Sequence, residues 1–83
     1  MKELEILIDD LKKHFAAKEL ELRENPKFNA FTEGFLLNRQ RDIEGFQLAC
    51  ENHDTNPFLK PLVIDGFKTD AVKIKSDIDK ITC

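Results

Sequence analysis

The sequence predicts an all-α fold: an antiparallel helical hairpin over about 2–24 and 27–52, an extended connector, and a C-terminal helix over about 67–82. Three observations predict it. Apolar residues recur at helical spacing in the first and last segments, an Asn-Pro pair separates the first two, and no pair of alternating strands appears anywhere.

The first helix rests on Leu4, Leu7, Ile8, Leu11, Phe15 and Leu22, which fall at steps of three and four and so share one stripe of a helix. Lys18 interrupts that stripe. Its long stem can lie along apolar surface while the ammonium reaches water, which places it at a rim. Asn25-Pro26 then ends the helix, since the residue before proline is pushed out of the α region, and offers an N-cap and N1 pair to start the next. A join this short makes the two helices antiparallel neighbours.

The second helix gathers Phe28, Phe31, Phe35, Ile43, Phe46, Ala49 and Cys50 over one broad arc, with Leu36 at its edge. A second pair, Asn56-Pro57, resembles a helix start, but Pro61 follows four residues later and limits it to one turn. Leu62-Val63-Ile64 before Asp65-Gly66 favours β structure, yet a strand of three residues has nothing to pair with here, so it reads as an extended connector. Phe67, Ala71, Ile74, Ile78 and Ile81 share the last stripe, with Thr69 as an alternative N-cap.

With 83 residues, 1–83 forms a single helical domain. The apolar share of 41% and charged share of 35% suit a folded chain rather than a disordered one. A net charge of −3, with both signs interspersed, argues against nucleic acid and anionic membranes as partners. No window approaches the ~20 apolar residues of a bilayer span. The opening MKELEILIDD carries acids where a secretion signal needs bases, so a cytoplasmic location is expected. Two cysteines, Cys50 and Cys83, are too few for a disulfide framework and are expected as thiols.

Candidate functional residues concentrate on the second helix. Arg39 falls inside the aromatic arc with Asn38 and Asp42 beside it. Arg39 and Asp42 can bridge each other or cap a neighbouring segment, because a charge inside an apolar arc must be satisfied. The functional alternative is a binding centre of Asn38, Arg39 and Asp42 ringed by Phe35 and Phe46, with Arg41 as a further binding residue, matching the enrichment of Arg and aromatics at interface hot spots. Leu37, Arg41 and Leu48 lie on the opposite side. With Ile6 and Leu20 of the first helix, the leucines suggest a second apolar surface for homo-oligomerisation. Gly34 and Gly45, each followed by Phe, recur eleven residues apart, close to three helical turns. Glycine inside a helix costs up to about 1 kcal/mol relative to alanine, so the pair points to a close neighbour, whether another helix or another copy.

Catalytic signals are sparse. Cys50 and His53 are three apart, but a closed zinc site needs four ligands, and only the solitary His14 and Cys83 remain to complete one. There is no Gly-rich phosphate loop, no His-Glu-x-x-His pattern and no paired-carboxylate motif, and Asp9-Asp10 and Asp77 with Asp79 read as solvated faces. No cofactor or metal is expected. These observations favour a non-enzymatic helical protein-protein interaction protein, oligomeric or part of a larger assembly, such as a viral or mobile-element accessory protein, inhibitor or virion component. Two rivals are a small-molecule or nucleotide sponge at an oligomer interface, using Asn38, Arg39 and Arg41, and a metal-dependent enzyme using Cys50 and His53.

Overall fold

The side chains set the helix boundaries. The structure, a computed structural model, describes the backbone of residues 2–54 and 61–83 and the side chains of 4–52 and 63–83. It contains α1 (Lys2–Glu24), α2 (Ala30–Asp54) and α3 (Pro61–Asp79), and each helix packs on the other two. They form a rod of 49 × 16 × 14 Å. Asp10 pairs with Lys75 and His14 with Asp79, both 65 residues apart, so α3 runs parallel to α1 and α2 runs back between them.

Asn25-Pro26 ends α1 as expected but does not start α2. The Phe28 amide donates to the Asn25 carbonyl (3.0 Å) and the Lys27 amide to Asn25 Oδ1 (2.9 Å), a β-turn with Asn first and Pro second. The N-cap is Asn29, whose Oδ1 accepts from the amides of Phe31 (2.9 Å) and Thr32 (3.1 Å). Helix α2 therefore begins at Ala30 rather than Lys27. Across this corner Arg23 pairs with Glu19 (3.1 Å) and Glu33 (3.7 Å), and its guanidinium lies over the Phe28 ring.

The connector expectation is also corrected. Residues 62–64 belong to α3, which starts at Pro61, and proline is compatible with a first helical turn. Ile64 is buried at helical spacing from Phe67 and Ala71, so burial on a helical period overrides the β preference of Val63 and Ile64. Thr69 caps nothing; its hydroxyl donates to the Asp65 carbonyl one turn back (3.0 Å), inside the helix. The helix ends at Asp79, short of residue 82. The Asn56-Pro57 turn lies outside the described residues.

The core stripes run at strictly alternating steps of four and three. In α1 they are Leu4, Ile8, Leu11, Phe15, Lys18 and Leu22; in α2 Thr32, Leu36, Arg39, Ile43, Phe46 and Cys50; along α3 and just beyond it Ile64, Phe67, Ala71, Ile74, Ile78 and Ile81. This 3.5-residue period is that of helices wound left-handedly around one another. The larger cluster includes Leu4, Leu11, Ile43, Phe46, Cys50, Phe67 and Ile78, with Phe46 and Phe67 edge-to-face at 5.8 Å. Leu22, Leu36 and Ile81 form the smaller one, and Phe15 packs against both.

Candidate functional site

Of the residues expected in a polar centre on α2, Arg39 and Asp42 come together, and Arg39 turns toward α3. Arg39 is half-buried, with Nε 3.3 Å from Asp42 and Nη1 3.2 Å from Asp77 of α3. Asp77 also lies 3.9 Å from Lys80. Asp77 was read from sequence as part of a solvated face. It is instead the cross-helix partner of Arg39, a role that only the packing of α3 against α2 discloses. Asp79 likewise accepts from His14 Nε2 at 2.7 Å rather than standing free in solvent.

The aromatic ring around this centre does not assemble. Phe46 lies in the core and Phe28 packs against the smaller cluster, whereas Phe35 is 52% exposed and Phe31 80%. The buried stripe of α2 is rotated by about 50° from the Phe-weighted arc, toward Thr32 and Leu36, at 100° per residue. Phe35 and Arg39 border a shallow groove of about 430 Å³ that continues over Lys80 and Ile81. A second groove, about 460 Å³ between α2 and α3, is bordered by Asp42, Gly45, Phe67, Asp70 and Lys73.

Asn38 and Arg41 are exposed, and Arg41 lies on the far side of α2 from Arg39. The three residues assigned to an anionic ligand therefore do not converge on one cradle. Leu37 (49% exposed) and Leu48 (60%) also face outward, opposite the core stripe. A Cβ added at Gly34 or Gly45 would meet nothing within 4 Å, so neither glycine admits a neighbouring helix of this chain. Ile6 and Leu20 are exposed on the back of α1. Each helix turns its back away from the bundle axis, so these two do not join Leu37 and Leu48 in one patch.

The thiol of Cys50 is 1% exposed within the larger cluster, where it packs as a small apolar group. His53 lies outside the residues whose side chains are described. Among the described residues no three His, Cys, Asp or Glu side chains gather around a common point. Cys83 makes a long contact from its Sγ to the Leu22 carbonyl (3.8 Å). On the α1–α3 seam, the hydrogen bond from Lys75 holds the Asp10 carboxyl below the usual aspartate range, outweighing a small opposing effect of burial.

No described helix is long and apolar enough to cross a membrane. Comparison with protein-family models, with curated proteins and with solved structures finds no match to this chain.

Proposed function

We propose that this chain is a non-enzymatic helical interaction protein that works in the cytoplasm and binds protein through the outward face of α2. The observation that carries this reading is the composition of that face. Gly34 and Gly45 sit in open helix, where alanine would be more stable, beside the exposed Leu37 and Leu48. Glycines that relieve no crowding inside the chain, flanked by large apolar side chains, suit close approach by another molecule. Phe31 and Phe35 extend the apolar surface along one side of the same helix.

The Arg39 centre serves the fold in this reading, tying α2 to α3. An accessory or inhibitory role, of the kind small viral and mobile-element proteins play, agrees with a short chain that offers a surface and, among the described residues, no cluster of metal-ligating side chains. The test compares proteins retained from a lysate of the native host by wild type and by Leu37→Glu/Leu48→Glu. Circular dichroism checks that both baits are helical. The reading expects one or more proteins bound in stoichiometric amount by wild type and lost from the variant, or a wild-type self-complex that the variant cannot form. Identical recovery and identical mass for the two baits would refute it.

A further inference from the structure

The outward face of α2 has a regularity of its own. Ala30, Gly34, Leu37, Arg41, Glu44, Leu48 and Glu51 are all exposed and follow alternating steps of four and three, the same period as the core stripe on the other side. A second seam of this kind can pair with another helix through successive layers. In an antiparallel pair each layer matches the two alternating seam positions crosswise, and the segment Leu37, Arg41, Glu44, Leu48 is self-complementary under that operation. Turned end for end about a point between Asp42 and Ile43, it places leucine over leucine and arginine over glutamate.

We propose that the outward face of α2 pairs with the same face of a second copy, antiparallel and two-fold symmetric, with Leu37 over the partner's Leu48 and Arg41 opposite the partner's Glu44. This rests on the reading of that face as a protein-binding surface and names its occupant. Charge complementarity selects both the copy and the direction. Neither Arg41 nor Glu44 makes an ion pair among the described residues, although Arg23, Arg39, Lys75 and Lys80 all do. A parallel pair would stack arginine on arginine and glutamate on glutamate, which is penalised. In the antiparallel register the flanking positions of the central segment put Asn38 beside the partner's Gly45 and Gln40 beside the partner's Gln47, so no like charges flank the layers from Leu37 to Leu48. Gly34 leaves room for the partner's Glu51. The back of α1 fails the same test, because an antiparallel pairing of Ile6 with Leu20 brings Lys13 against its own copy. A two-fold contact of this sort is isologous and closes on itself.

A single helix seam about 37 Å long covers less than the roughly 800 Å² per partner of a standard interface, so the dimer belongs to the weak, concentration-dependent class. Sedimentation equilibrium of wild type should show the mean mass rising from 9.6 kDa toward twice that value as the protein approaches about 0.5 mM. Arg41→Glu and Glu44→Arg should each, alone, weaken association by more than about tenfold, and an equimolar mixture of the two should restore it. The mixture also guards against misfolding, since a variant that merely unfolds cannot be rescued by the other. Direction is read by cross-linking in a Cys83→Ser background: Leu37→Cys mixed with Leu48→Cys should form the covalent dimer, and Leu37→Cys alone should not. Retention of wild-type association by the single variants, failure of the mixture, or self-linkage of Leu37→Cys would overturn the proposal. So would a wild type that stays at 9.6 kDa throughout; if its capture of another protein still depended on Leu37 and Leu48, the broader reading of the face would survive.

Discussion

Helix α2 carries two stripes of identical period on opposite sides, and only one of them is core. The inner stripe presents Leu36, Ile43, Phe46 and Cys50, relieved by Thr32 and by an Arg39 that finds two carboxylates. The outer stripe presents Leu37 and Leu48 separated by Arg41 and Glu44, with Gly34 and Ala30 toward its start. Period decides which residues act together; side-chain volume and unpaired charge decide which set is buried within the chain. A charge on the inner stripe is answered by Asp77 from α3, whereas Arg41 and Glu44 on the outer stripe make no ion pair among the described residues.

The difference can be broken most forcefully from the inside. Phe46→Ala should cost about 3–5 kcal/mol, a large part of the stability of a domain this size, and urea denaturation should find it largely unfolded. Leu48→Ala, two positions along but on the outer stripe, should change the dilute protein by no more than about 0.5 kcal/mol. Equal costs would show that the two stripes are assigned to the wrong sides.

The helix start comes next. Asn29→Ala should cost about 1 kcal/mol, a fall of roughly 4–8 °C in Tm, while Asn25→Ala, which removes a turn contact and no cap, should cost less. A smaller effect of opposite sign is expected at the outer glycines. Gly34→Ala and Gly45→Ala should each stabilise the dilute protein by about 0.5–1 kcal/mol, because the added methyl meets no atom of the chain and glycine carries the larger entropic penalty. A loss of partner binding alongside that gain would show that the glycines are kept for approach.

The smallest effect lies on the α1–α3 seam. Because Lys75 lowers the Asp10 pKa in the folded state, this pair contributes stability above the ordinary aspartate range and loses it as pH falls through the folded value. Asp10→Asn should therefore lower Tm slightly near neutrality and converge on wild type only as pH falls below the ordinary aspartate range, as followed by thermal melts across pH.

Much of this architecture was legible in the chain. The stripe from Leu4 to Leu22 needed only its spacing, and α1 follows it. The start of α2 was ambiguous because two asparagines compete four residues apart, and only hydrogen-bond geometry shows that Asn25 makes the turn and Asn29 the cap. The start of α3 was hidden by Leu62-Val63-Ile64, a run that favours strand locally, although Val63 packs on the core and Ile64 is buried at helical spacing from Phe67. Phe31 and Phe35 misled because size drew the inferred core toward them, while α2 must face α1 and α3 together. The outer residues Leu37, Leu48, Gly34 and Gly45 were visible as a group, but their isolation from the rest of the chain was not, since it depends on where α3 lies. Nothing in the spacing of Asp77 announced it as the partner of Arg39.

The parallel pairing of α1 with α3 bears on how the chain reaches this state. Two of the three interfaces join helices consecutive in the chain and close only short loops, but the one held by Asp10–Lys75 and His14–Asp79 must close a loop of 65 residues. That interface should be the last to form. Weakening it should then leave the refolding rate nearly untouched and accelerate unfolding, so that the seam between the first and third helices governs how long the folded chain persists.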